Sequence, residues 1–347
     1  MKRPKNQQSL RLSKKFIVAG LFLGIPILMM IIGMFSPSFA TFWWQVFASP
    51  MEGKLYLLFQ FIPISFYLIL GILAVFCVIL KITRVFNVDK TITALLVIMV
   101  CAILPLIFYA SGANVQKIDR LYFPKNVAQE YTADDLYDLT LEFSNKARSL
   151  ALEKQNPDTN DGIVEKATEN LKRLSTKFEF LGGTFVKNIK FENLEYGGIT
   201  FPYSVRANSK YSDEQTLQVV QHELCHTKGL IREVEAEFCG VLASLEGNDD
   251  FSKLNGYAEA IAISSAALET MGYDIGKVDE IKTWCNGTGY NCGQFYDTFS
   301  VDNGYEADGL LSPFQDSSDF WLLFNSAEFY KEYGYLRSAR LLLEYFK

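Results

Sequence analysis

The chain has 347 residues, of which 49% are hydrophobic and 21% charged, with a net charge of −6. The charge is divided: residues 1–112 hold ten Lys/Arg against two Asp/Glu, whereas residues 113–347 hold 23 against 37. The length allows one or two domains plus an anchor, and the acidic C-terminal part excludes nucleic acid as a partner, because phosphate binding needs a basic face.

Three apolar stretches, near residues 16–34, 56–80 and 92–109, each approach the roughly 20 residues that a bilayer-crossing helix needs. Each carries one proline, Pro26, Pro63 and Pro105, which membrane helices tolerate. Residues 1–112 therefore read as a membrane anchor with three transmembrane helices and the lipid bilayer as a partner. Lys2, Arg3, Lys5, Arg11, Lys14 and Lys15 precede the first stretch, and Lys81, Arg84 and Lys90 lie between the second and third. The positive-inside rule then puts the N-terminus in the cytoplasm and the rest of the chain outside it, in a multi-pass cell-membrane protein. Ser38-Phe39-Ala40 after a basic start resembles a signal-peptide cleavage site, but the apolar run is longer than usual and further spans follow, which favours an uncleaved anchor.

Residues 113–131 read as a juxtamembrane linker, and residues 132–347 as an extracytoplasmic domain. Thr132-Ala133-Asp134-Asp135 signals a helix start, with the helix running to about residue 154. The NPDTNDG run at 156–162 is a loop. A second helix follows over about 163–180 and is broken at Gly182-Gly183. Residues 184–191 and 198–205 have strand character, and Pro202 suits an edge strand. Ser212 and Gln215 then form a capping box, opening a helix to about Thr227. Further helices are expected near 231–245, 257–271 and 336–346. Cys285 and Cys292 flank a Gly-rich loop that a disulfide would close in an oxidising space. Cys225 and Cys239 would meet only if their helices pack together.

The capped helix contains Gln221-His222-Glu223-Leu224-Cys225-His226, an HExxH motif holding both histidines of the chain. Histidines at i and i+4 lie on one helical face and can reach one metal ion. Glu223, one residue past the first, can meet a metal-bound water and act as general base. A third ligand must be a carboxylate or a cysteine. The HExxHxxGxxH pattern is met through Gly229 but fails at Arg232, which excludes metzincins. Arg232-Glu233-Val234-Glu235-Ala236-Glu237 follows at once. Glu233 and Glu237 share a helical face, and Glu235 points elsewhere.

At these residues the sequence resembles the gluzincin metallopeptidases, in which a glutamate on a later helix completes an HExxH site. The E-x-E-A-D/N form of several branches is met by Glu233-Val234-Glu235-Ala236-Glu237, with Glu in the last place. The resemblance implies Zn²⁺ as cofactor, His222, His226 and Glu233 as ligands, Glu223 as the catalytic base, and Glu237 as support for a zinc-bound histidine. The spacing from His226 is shorter than in most gluzincins and leaves Glu235 as an alternative ligand. The chain also resembles a bacterial domain-of-unknown-function family of membrane proteins with an HExxHxxGxxREVEA-type run. The Gly198–Tyr203 run, Leu254-Asn255-Gly256-Tyr257 and the C-terminal tail look like that family too.

The fold expected is mainly α: three transmembrane helices followed by a mostly helical α+β zincin-like soluble domain with a small edge-stranded sheet. In gluzincin-like enzymes that edge strand pairs with the substrate backbone, a role that falls to Ile199, Phe201 and Tyr203. Tyr257, with Tyr203 and Arg232 as alternatives, is a candidate donor to the transition state. The function expected is a membrane-anchored zinc metalloendopeptidase acting on peptide or protein substrates outside the cytoplasm. The alternative is a membrane sensor or binding protein holding zinc without turnover. Intramembrane proteolysis is disfavoured by the polar HExxH helix. A transporter is disfavoured by the absence of intramembrane charges.

Overall fold

The structure is a computed structural model and describes residues 5–60, 66–112, 117–125, 130–151, 160–194, 197–200, 203–288 and 335–347. It divides into two compact units, one of residues 1–116 and 202–204, the other of residues 117–201 and 205–347.

The first unit is helical: α1 (Lys5–Phe35), α2 (Pro37–Trp43), a π-helical turn at Trp44–Ala48, α3 (Ser49–Phe59), α4 (Phe66–Ile82) and α5 (Val88–Ser111). Lys14–Phe35 in α1 and Val88–Phe108 in α5 are each long and apolar enough to cross a membrane. Leu21, Phe22, Leu28 and Met34 on α1, and Val97 and Leu106 on α5, stay exposed, as side chains facing lipid would. The two helices pack together. Lys15 donates to the Asp89 carboxylate at 2.7 Å and the Thr93 hydroxyl at 2.6 Å. That contact joins the starts of the two apolar stretches, so α1 and α5 enter from the same side.

Residues 61–65, inside the expected middle span over residues 56–80, lie outside the described residues. On either side of them, α3 ends at Phe59 and α4 is described from Phe66. Within α4, Tyr67–Ile82 is a shorter apolar helix. Two helices long and apolar enough to cross a membrane are thus found among the described residues. The ring of Tyr203 also belongs to this unit, edge-on to Tyr56 at 5.3 Å and stacked on Phe59 at 5.8 Å.

The second unit is mainly helical, with a small sheet. Part of the expected linker forms α6 (Ile118–Tyr122), and Tyr122 packs edge-on against Phe178 at 4.7 Å. α7 (Ala133–Ala151) starts as the sequence indicates: the Thr132 hydroxyl accepts from the Asp135 amide, and the Asp135 carboxylate accepts from the Thr132 amide. α8 (Asn160–Leu174) buries Ile163, Ala167, Leu171 and Leu174, a helical stripe. It ends six residues before the expected limit.

Strands β1 (Ile189–Glu192), β2 (Gly198–Thr200) and β3 (Val205–Asn208) form a sheet of order β1-β3-β2, with β1 parallel and β2 antiparallel to β3. The register pairs Gly198 with Ala207 and Thr200 with Val205. The run 198–205 is thus not a single strand. β2 is the edge, and Val205 already belongs to the central strand. Between them Tyr203 takes a left-handed φ of 60°, a conformation that ends a strand. Phe201 lies outside the described residues.

Next come α9 (Asp213–His226), α10 (Glu233–Leu245), α11 (Asp250–Thr270), α12 (Ile275–Lys282) and α13 (Tyr335–Phe346). α9 carries the expected capping box of Ser212 and Gln215. α11 begins seven residues earlier than expected, where Asp249 caps the Ser252 amide. It is the central helix, packed against α7, α10 and α13, while α9 packs against α8 and α10.

A buried polar bridge joins four of these helices. Asn170 on α8 donates to Ser252 of α11 at 3.0 Å and to Gln221 of α9 at 3.4 Å, and Gln221 donates to Ser244 of α10 at 2.6 Å. Gly256 lets α11 approach α10: a Cβ there would stand 2.8 Å from the Leu245 amide nitrogen. Gly256→Ala should therefore destabilise the protein. The helix-propensity gain of about 1 kcal/mol is outweighed by an overpacking cost of about 1–3 kcal/mol against backbone that cannot swing away. Thermal melting of the full chain in detergent, followed by circular dichroism, should show a lower midpoint. An unchanged or raised midpoint would refute this close approach.

Candidate metal centre

Helix α9 presents His222 and His226 one turn apart. At its end Gly229 adopts a φ of 95°, the left-handed geometry that suits glycine after a helix. The chain then reverses into α10, whose first residue is Glu233. Gly240 keeps the two helices close, since a Cβ there would lie 3.1 Å from Gln218 Nε2 and 3.4 Å from the His222 amide nitrogen.

The result is a compact donor set. His222 Nε2 lies 2.9 Å from Glu233 Oε2 and 3.0 Å from His226 Nε2, and His226 Nε2 lies 3.4 Å from the same carboxylate oxygen. A tetrahedral ion with bonds of about 2.0–2.1 Å sets its ligand atoms about 3.3 Å apart. The three atoms are near that spacing, and two imidazoles with one carboxylate leave a fourth position for water or substrate. These residues therefore fit a divalent metal of the zinc type.

The charges point the same way. Lost solvation disfavours the His226 imidazolium, but Glu233, and then Glu223 and the Leu230 carbonyl, lift its pKa to about 10. Lost solvation pushes the Glu233 carboxyl up, yet His226 and His222 together hold it below the usual range. A cluster that holds a proton so firmly also favours a dication in its place.

The surrounding shell is partly as expected. His226 Nδ1 meets the Leu230 carbonyl at 2.5 Å, so the turn made by Gly229 also orients this ring. Glu237 was expected to steady a zinc-bound histidine; its Oε2 accepts from Ser338 of α13 at 2.6 Å, and the residue lines the cavity at the centre. Glu235 points away. It accepts from Arg232 at 2.9 Å and from the Ile118 amide at 3.3 Å, which removes it as a ligand and removes Arg232 as a free donor.

Glu223 is buried beside the donor set, 5% exposed. Burial raises its carboxyl above the usual range, opposed by His226, His222 and the Thr200 hydroxyl. Thr200 of β2 donates to Glu223 Oε2 at 2.6 Å and to the Glu223 carbonyl at 3.0 Å. The strand comes this near only because residue 198 is glycine: a Cβ there would lie 2.7 Å from Glu223 Oε1.

A cavity of about 230 Å³ opens at this point, with His222, Glu223, Glu233, Gly198, Glu237 and Glu259 in its wall. Ile199 follows on β2 and is 41% exposed. Tyr257 does not line the cavity. Its ring lies 5.9 Å from Phe143, under the Lys146 ammonium at 5.8 Å, because residues two apart on a helix face nearly opposite ways and Glu259 takes the inward position. Tyr203 is not in a strand and packs within the first unit.

Cys225 and Cys239 are both buried and free, with a thiol–thiol hydrogen bond between them. Cys285 is disulfide-bonded, and its expected partner Cys292 lies outside the described residues. Thr200, the Leu230 carbonyl and Glu259 were not foreseen from the sequence.

Residues 45–286 match a family described as "Protein of unknown function (DUF3810)". Neither the curated proteins nor the solved structures contain a match to the chain. The family match spans more than half of the sequence, and the chain belongs to this family.

Zinc titration of the metal-stripped full chain should give one ion per chain. Glu233→Ala should weaken binding more than about 100-fold, beyond the 10–100-fold typical of losing an outer partner, while Glu235→Ala should leave it intact. Equal losses in the two variants would refute the assignment of Glu233.

Proposed function

We propose that this protein is a membrane-anchored zinc metallopeptidase of gluzincin-like, zincin-type fold. The observation that carries the reading is the convergence of His222, His226 and Glu233 on one point, with the buried Glu223 carboxylate beside them and fixed by Thr200. Zinc bound there would acidify a water molecule and polarise a peptide carbonyl.

The chain's own residues would do the rest. Glu223 takes the proton from the attacking water and returns it to the departing amine, as a general base and then a general acid. Thr200 holds the carboxylate so that one oxygen faces the water, which removes the cost of ordering it during the reaction. β2 is an edge strand among the described residues, and its outer side near Gly198 and Ile199 offers backbone groups to an extended peptide. Such pairing does not depend on the side chains of the substrate.

The parallel entry of α1 and α5, and the positive charges before each, support an anchor with the N-terminus in the cytoplasm and the second unit outside it. The acidic character of that unit suits peptide or protein substrates on the outer side.

Glu223→Gln should lower peptide hydrolysis by about 10²–10⁴-fold, the usual contribution of a general base, with zinc content unchanged. Thr200→Val should lower kcat about tenfold with little change in KM, the size of effect of an outer partner. Hydrolysis measured on an unfolded polypeptide with zinc-loaded protein checks both. Cleavage insensitive to Glu223→Gln would refute the mechanism, and stoichiometric zinc without any cleavage would favour a non-catalytic zinc protein.

A further inference from the structure

Two buried carboxylates in the cavity have no role in the mechanism above. Glu237 comes from α10 and Glu259 from α11, and both are at least nine-tenths buried. Both line the cavity that contains His222, Glu223 and Glu233. Two like charges in a buried place oppose each other: burial, and then Glu237, push the Glu259 carboxyl well above its usual range. Burial and the same two carboxylates also push up the Tyr335 phenol. Glu237 accepts from Ser338 at 2.6 Å, and the described residues that line the cavity include no Lys or Arg.

A third group is also unaccounted for. Gln218 lies one turn before His222 on α9, is 7% exposed and lines the same cavity. Neither its amide oxygen nor its amide nitrogen finds a hydrogen-bond partner among the described residues. A buried unpaired amide is costly, and one in a cavity wall is available to a ligand.

We propose that the cavity beside the metal centre binds a primary ammonium group of the substrate, received by the carboxylates of Glu237 and Glu259 and by the amide oxygen of Gln218. The chemistry of the acceptors selects this ligand. An ammonium has three N–H donors and no acceptor, and the wall offers three acceptor groups from three helices. A second hard dication would need six or more oxygen ligands, more than these side chains supply. An anion is excluded by the two carboxylates.

The inference rests on the peptidase reading for the nature of the substrate. A chain end or a lysine held here puts the neighbouring carbonyl at the metal centre, because one small cavity contains both. The enzyme would then cleave next to a free α-amine or next to a lysine side chain. Glu237 and Glu259 would act as specificity residues, contacting substrate away from the reacting atoms.

The test is calorimetric titration of the full chain in detergent, with and without zinc. The probes are leucinamide, N-acetyl-leucinamide, N-acetyl-lysinamide and N-acetyl-norleucinamide. At least one ammonium-bearing probe should bind roughly tenfold or more tighter than its uncharged counterpart, the scale of a charge-assisted hydrogen bond. Preference for leucinamide identifies the α-amine as the source, and preference for N-acetyl-lysinamide identifies the side chain.

Glu237→Gln and Glu259→Gln should each remove most of that preference while keeping the wild-type zinc stoichiometry, which also reports that the centre is folded. Equal binding of charged and uncharged probes would overturn the proposal. So would a preference that survives both variants, since the metal alone would then be holding the amine. Amine binding without any peptide cleavage would instead count against the peptidase reading and leave the ammonium subsite standing.

Discussion

The close crossing of α9 and α10 governs the functional half of this protein. At Gly240 a Cβ would already touch the His222 backbone at 3.4 Å and crowd the Gln218 amide at 3.1 Å, so a longer side chain would push the helices apart. Gly229 turns the chain back within a few residues, so that Glu233, the first residue of α10, faces the two histidines of α9. The same turn places the Leu230 carbonyl on His226. Gln221, immediately before His222, points to the other side of α9 and ties it to α8 and α10, and through Asn170 to α11. The face that carries the donor set and the anchoring face of one helix are thus set by adjacent residues.

The centre concentrates buried carboxylates in one place. Glu223, Glu233, Glu237 and Glu259 all meet one cavity, and isolated buried carboxylates are expensive. The apolar packing of α11 with Leu254, Ile261 and Leu268 supplies stability that this site consumes. Such a cost makes physical sense where cations are to be received. In the proposed reading His226 and Glu233 would receive a metal ion, and Glu237, Glu259 and Gln218 an ammonium.

Much of the arrangement is legible locally. The capping box at Ser212 and Gln215, the i,i+4 histidines and the glycine three residues beyond His226 are short-range patterns, and each appears where the sequence places it. The choice of Glu233 over Glu235 needed the partner of Glu235, which is the Ile118 amide 117 residues away. Thr200 and Glu259 reach the centre only through tertiary packing, so no spacing in the sequence marks them. Tyr257 was a candidate donor because a tyrosine lay on a later helix, but the phase of α11 turns it toward α7. The strand expected over 198–205 failed for a backbone reason, the left-handed Tyr203.

X-ray absorption at the zinc edge of the purified full chain tests the central claim most directly. The account predicts one zinc per chain with only nitrogen and oxygen neighbours at about 2.0–2.2 Å, two of them imidazoles. A sulfur neighbour at about 2.3 Å, which would bring in Cys225 or Cys239, or a chain that retains no zinc, would contradict it.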